Sequence, residues 1–145
     1  GKRVRGGKGT LLDIGTNVPL IANWRGNIKP GSQTDVLVDF SDWLPTLVEI
    51  AGGHMEREVD GRSFAATLFH DEAVPAREYA FAQSRNKRAW VRTQQYKLYN
   101  NGQLFDVGVD PFEKQPLKGT KGDASANRKF LENALMRLNL PWNKK

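Results

Sequence analysis

YKLYNNGQLFDVGVDPFE, residues 96–113, reads as two short strands around an Asn-Asn-Gly turn, followed by an Asp-Pro turn. Asn-Gly between alternating apolar and polar residues is a strong short-range hairpin signal, because both positions tolerate the positive φ that a tight turn needs. Upstream the same period of two continues. Tyr79–Gln83 and Ala89–Thr93 read as strands joined at Asn86–Lys87, and Tyr96–Tyr99 and Leu104–Val107 complete an antiparallel meander of four. Beyond the polar loop 114–123, an amphipathic helix is predicted from Ala126 to Asn139. Its residues Phe130, Leu131, Ala134, Leu135 and Leu138 share one face suited to covering the sheet.

Before the meander the period changes. Val18–Trp24 reads as a short buried strand, with turns at Arg25–Gly26 and Pro30–Gly31, and Asp35–Phe40 reads as strand or extended chain. A helix over the whole of 36–51 is ruled out by Pro45, which is tolerated only in a first turn. Ser41 or Asp42 as N-cap puts Pro45 there, and Gly52–Gly53 stops the helix after Ala51. Its apolar residues Trp43, Leu44, Leu47, Val48, Ile50 and Ala51 cover most of the circumference, which predicts burial. Ser63–Phe69 reads as a short helix and 71–76 as a linker. Val74–Pro75 then marks the boundary between an N-terminal part, 1–74, and a C-terminal part, 75–145. Residues 1–9, basic and glycine-rich, are expected to be mobile.

A chain of 145 residues can bury a real core, and 39% hydrophobic content is ordinary for a globular protein. No apolar run approaches the roughly 18 residues that a membrane span requires, so no membrane partner is expected. The chain has no cysteine, which excludes disulfides and thiolate chemistry from these residues but fixes no compartment. The net charge of +6 gathers at Lys2–Lys8, Arg85–Lys97 and Lys144–Lys145. The plain reading is a solvated basic face. A non-catalytic module that binds acidic glycans or nucleic acid through its basic strands is the alternative from a different class.

Four segments, in order, resemble the closing third of a sulfatase of the arylsulfatase type, within the alkaline-phosphatase-like superfamily. They are KGTLLDIGTNVPLIANWRGNIKPG (8–31), DVLVDFSDWLPTLVEIAG (35–52), DGRSF (60–64) and the stretch 96–113. The resemblance implies an edge portion of an alkaline-phosphatase-like α/β sheet, then an α+β subdomain with a four-stranded antiparallel sheet and a terminal helix. It also implies a complete enzyme that hydrolyses sulfate esters with a formylglycine nucleophile and calcium. A phosphonate or phosphate diester hydrolase of the same superfamily remains the nearest alternative.

By the same resemblance Lys8, followed by Gly9–Thr10 and then Val18–Pro19, is the lysine that contacts the substrate's sulfate group. An ammonium there suits the role, since it can neutralise a sulfuryl oxygen and the charge growing on the leaving oxygen. Relatives often carry Glu-Gly-Gly-x-Arg where Asp13–Asn17 stand here, and Asn17 replaces the arginine. Asp13 is read as a turn or capping residue, Asp110–Glu113 as a structural turn, and His54 and His70 as surface residues. The formylglycine motif, C-x-P-x-R or S-x-P-x-R, does not occur in these residues. No catalytic residue, metal ligand or bound calcium is therefore expected in this chain, and alone it is expected to be inactive. The resemblance further implies a missing N-terminal catalytic half. Apolar surface around Val18–Trp24 and Trp43–Ile50 would then lack its cover, so self-association is expected. Two weaker likenesses fail. GKRVRGGKGT lacks the strand and the Ser/Thr of a phosphate-binding loop, and one Arg5–Gly6–Gly7 is too little for RNA.

Overall fold

The computed structural model describes residues 6–69 and 76–140. The expectations for residues 1–5, His70, Val74–Pro75 and Lys144–Lys145 lie outside the described residues. The chain forms two compact units, one of Leu20–Ala80 and one that joins the stretch up to Pro19 with Phe81 onward.

In the second unit the meander forms as read. Strands β1 (Ala80–Gln83), β2 (Ala89–Arg92), β3 (Tyr96–Tyr99) and β4 (Leu104–Asp106) lie side by side in chain order. Trp90 pairs with Tyr99, Val91 with Leu98 and Arg92 with Lys97, while Lys97 also faces Phe105 and Leu98 faces Leu104. The turn chemistry agrees with the sequence. Gly102 (φ +87°) closes the β3–β4 hairpin, and Lys87 (φ +61°) takes the left-handed position before β2. Asn100 is buried. Its carbonyl accepts from Ala89 N–H at 3.1 Å and its amide donates to Lys87 O at 2.9 Å, so one side chain fixes the entry to β2.

Because side chains alternate across a strand, this register sorts the sheet into two faces. Val91, Tyr96, Leu98 and Leu104 share one. Helix α4, Asp123–Arg137, packs on β2 and β3 and buries Leu131, Ala134 and Leu135. The helix begins three residues before its predicted start, with Asp123 in the first turn where a carboxylate favours the helix dipole. It ends on Asn139 (φ +49°), with Leu140 N–H donating to Leu135 O and Asn139 N–H to Met136 O, a left-handed stop that satisfies two terminal carbonyls. The other face carries Trp90, Arg92, Lys97, Tyr99 and Phe105. Segment 7–16, which includes the single-turn helix α1 (Asp13–Thr16), lies over it through hydrogen bonds from Arg92 and Lys97.

In the unit of 20–80, helix α2 spans Trp43–Ile50 with Pro45 in its first turn, and Gly52 (φ +76°) ends it as expected. The cap differs from the reading. Asp42 stands at the N-cap position of α2 but makes no side-chain cap bond. Asp39 instead accepts from Ser41 N–H and closes a reciprocal box with Asp42 around the 3-10 turn Phe40–Asp42. Asp42 is free for another task. Its carboxylate, itself fully buried, accepts from Asp39 N–H, from Arg62 N–H at 2.7 Å and from the buried Arg77 guanidinium. Gly61 has to be glycine here, since a Cβ would fall 1.9 Å from Ser41 O. Thr46 Oγ1 accepts from Phe64 N–H at 3.0 Å, and Phe64 meets the Trp43 ring edge-on before helix α3, Ala65–Phe69.

Two expectations fail in this region. Val18–Trp24 is neither a strand nor buried; no strand pairs with it among the described residues, and Ile21 is 88% exposed. An extended run with no ladder partner leaves its backbone to water, whatever its apolar content. Asp35–Asp39 forms no strand, which removes the first of the two readings, and Asp39 has extended backbone. Helix α2 is also only half buried. Leu44 and Leu47 are 53% and 55% exposed, and Phe40 76%, so the apolar circumference reflects a second face that the described residues do not cover.

Candidate functional site

Lys8 sits exposed at the tip of a turn that the sequence builds tightly. Thr10 N–H donates to Gly7 O at 2.9 Å, Thr10 Oγ1 donates to the same oxygen at 2.7 Å, and Gly9 has φ +82°. That is a two-residue tip with Lys8 before a glycine in the left-handed region, the arrangement of a type II turn. The stem is just as constrained. Gly7 N–H donates to Ile14 O at 3.2 Å, and a Cβ on Gly15 would lie 2.3 Å from Gly7 O, so two glycine backbones pass in contact.

Beneath the stem lies a buried charge cluster. Lys97 is 0% exposed, and its ammonium donates to Leu11 O at 2.7 Å, to Asp13 Oδ1 at 3.0 Å and to Glu113 Oε1 at 2.8 Å. An ammonium has three protons, and all three are used. The ammonium also lies 4.7 Å from the centroid of the Trp90 ring, a cation–π contact that helps to hold a charge away from water. Glu113 Oε1 also accepts from the backbone N–H of Asp13 at 2.8 Å, and Oε2 accepts from the Tyr99 hydroxyl. Asp13 Oδ2 accepts from Arg92. Two carboxylates therefore meet one ammonium and one guanidinium, which balances their formal charges. Burial, followed by the hydrogen bond to Glu113, pushes the Tyr99 phenol well above its ordinary pKa.

How each residue gets there follows from the fold. Lys97 and Tyr99 alternate on β3, Arg92 faces Lys97 from β2, and Trp90 faces Tyr99. Glu113 arrives by the Asp-Pro turn after β4. It has φ +53°, its N–H donates to Asp110 O at 3.0 Å, and Gln115 N–H donates to the Asp110 carboxylate. The turn is structural, as read, but its last residue is a member of the cluster.

Several site expectations are thereby revised. Asp13 is a turn residue, as one half of its reading had it, since it opens the single turn α1, but its side chain caps nothing; the carboxylate is an ion-pair partner of Lys97 and Arg92. The basic run 85–97 is not one solvated face. Arg85, Lys87 and Arg88 are exposed, whereas Lys97 is sealed and Arg92 is mostly covered. His54 is exposed, and Asn17 is exposed at the end of α1. The sequence reading missed Lys97, Tyr99, Arg92 and Glu113 as a group. A signal was present: Tyr99 alternates onto the same side of β3 as Lys97, the register adds Trp90 and Phe105 to that face, and aromatics there imply that something covers it.

As for a divalent cation, no group of three or more His, Cys, Asp or Glu among the described residues is placed to hold one. The four carboxylate oxygens of Asp13 and Glu113 are already taken by cationic, hydroxyl or amide donors. These residues do not fit a calcium site. Among the described residues no helix is long and apolar enough to cross a membrane.

Comparison with known proteins adds the family context. The family described as "N-sulphoglucosamine sulphohydrolase, C-terminal" matches residues 7–139. An ulvan-active sulfatase of Formosa agariphila is 34% identical over 110 residues, which cover 70% of this chain and 22% of that protein. Human arylsulfatase A is 32% identical over 116 residues, covering 74% of this chain and 23% of the relative. This chain thus spans under a quarter of the length of these two relatives. A solved Bacteroides thetaiotaomicron structure, from work on the metabolism of multiple glycosaminoglycans, superposes with a TM-score of 0.58 over 83% of this chain and 31% of its own. At 20% identity that likeness shows a shared fold.

Proposed function

This chain belongs to the family of N-sulphoglucosamine sulphohydrolase C-terminal domains, and from that premise we propose that it completes the active site of a sulfatase. The whole protein hydrolyses a sulfate ester. Water is consumed, the sulfur–oxygen bond to the alcohol breaks, and alcohol and sulfate leave. Lys8 is the residue of this chain that faces the sulfate group. Its ammonium offsets charge on the sulfuryl oxygens and on the alcohol oxygen as that bond lengthens, which lowers the barrier most where the charge develops. The formylglycine nucleophile and the calcium of such enzymes are supplied from outside these residues. Asp13 and Glu113 cannot serve as metal ligands or as a general base while they hold Lys97, Arg92 and Tyr99.

The observation that carries this reading is the presentation of Lys8: an exposed lysine at the tip of a turn whose stem is pinned from below. A surface charge without a task needs no such support. The test compares the full-length protein that contains this chain with the chain alone, both given an aryl sulfate. Turnover by the first and none above background by the second is expected. A full-length protein that cleaves aryl phosphonates or phosphate diesters in preference to aryl sulfates would overturn the assignment.

A further inference from the structure

We propose that Lys97, Glu113 and Asp13 act as positioning residues for Lys8, a step that rests on the role given to Lys8 above. The stem of the Lys8 turn is gripped at two backbone points by side chains from distant sequence. Leu11 O accepts from Lys97 at 2.7 Å, and Asp13 N–H donates to Glu113 at 2.8 Å. These points lie three and five residues after Lys8, and the gripping residues are 86 and 100 positions away from them. The Asp13 carboxylate adds a third tie, to Lys97 and Arg92.

Local structure alone could not hold this segment. Helix α1 has four residues, too few to persist without tertiary support, and its N-cap residue Leu12 provides no side-chain hydrogen bond. Apolar packing could anchor the stem with similar strength, since a buried ion pair gains little over well-packed apolar residues. The cluster supplies direction instead. A carbonyl and an N–H, two residues apart, each meet a donor or acceptor fixed on the sheet, and the Tyr99 hydroxyl holds Glu113 from its other oxygen. The stem is therefore located in position and in rotation about its own axis. A charge that must meet a developing oxyanion needs that, because a displacement of about 1 Å can cost on the order of 100-fold in rate.

Glu113→Gln keeps the shape and removes the charge. In the full-length protein its kcat/KM for an aryl sulfate is expected to fall about tenfold, mostly in kcat. The deciding measurement is a double-mutant cycle with Lys8→Ala. If Glu113 works through Lys8, Glu113→Gln costs nothing further once Lys8 is gone. If Glu113 only stabilises the fold, its loss multiplies onto that of Lys8→Ala, and the inference is overturned while the role of Lys8 stands. Should Lys8→Ala itself cost nothing, the role of Lys8 fails and the positioning role fails with it. Tyr99→Phe, which removes a single hydroxyl, carries the same cycle if Glu113→Gln does not fold; a multiplicative loss there again rejects the inference.

Discussion

Each unit of the molecule buries a charge cluster, and the two clusters are built for different ends. In the unit of 20–80, Asp42 and Arg77 are neighbours in a local stitch. The Asp42 carboxylate gathers Asp39 N–H, Arg62 N–H and the Arg77 guanidinium, tying the start of α2 to the Asp60–Phe64 loop and to the chain before β1. In the sheet unit, Lys97 and Glu113 hold a segment from the far end of the sequence, and that segment lifts Lys8 into solvent. The first cluster closes a loop, whereas the second presents a residue. Buried charge is weak evidence for stability as such, so a cluster is better understood by what it orients.

Removing one partner should separate the two most sharply. Lys97→Met leaves the buried Glu113 without its cationic partner and Asp13 with Arg92 alone, and is expected to cost about 3–5 kcal/mol in urea unfolding of the chain; Asp42→Asn weakens the partner of a buried guanidinium and should also destabilise. Amide exchange distinguishes them. Lys97→Met should deprotect Asp13 and Gly15, while Asp42→Asn should deprotect Arg62 and Phe64. Deprotection of both sets by either variant would mean that the clusters are not separate devices.

A smaller effect comes from Tyr99. Its phenol has a raised pKa in the folded chain, so the unfolded chain loses that proton first as pH rises. Its contribution is complete below the ordinary value of 10.0 and fades as pH climbs above it. Tyr99→Phe should cost about 1 kcal/mol at neutral pH and soften the alkaline loss of stability above pH 10, as followed by unfolding at fixed urea. An unchanged alkaline limb would show that Tyr99 is not the group responsible. Smallest in stability is the pair Leu44→Ser and Leu47→Ser, expected to shift unfolding by no more than about 0.5 kcal/mol because both are half exposed. The same variants should reduce self-association of the chain in light scattering. A monomeric parent chain would remove that expectation.

The contrast also marks what the sequence made legible. The meander, its turns and the α4 face were readable, since each rests on local chemistry: alternation, Asn-Gly, an apolar helical stripe. The role proposed for Lys8 rests on resemblance to a family and not on any local chemistry of the sequence. The cluster was not read, because one lysine within Tyr-Lys-Leu-Tyr looks like the wet side of a strand unless the distant stem that covers it is known. Val18–Trp24 misled for the complementary reason. Its apolar run implies a cover, but pairing and burial depend on residues that the run itself does not name. Asp42 looked like a cap and Asp39 does the capping; helix starts offer several acidic candidates, and only the partners of each oxygen decide among them.

The most direct test of the central claim, that the pinned turn delivers Lys8 to a sulfate group, is kcat/KM of the full-length protein toward an aryl sulfate after Lys8→Ala. A fall of about 100-fold or more, with the unfolding midpoint unchanged, is expected for loss of a charge that stabilises the leaving oxygen. A value equal to that of the parent protein would contradict it.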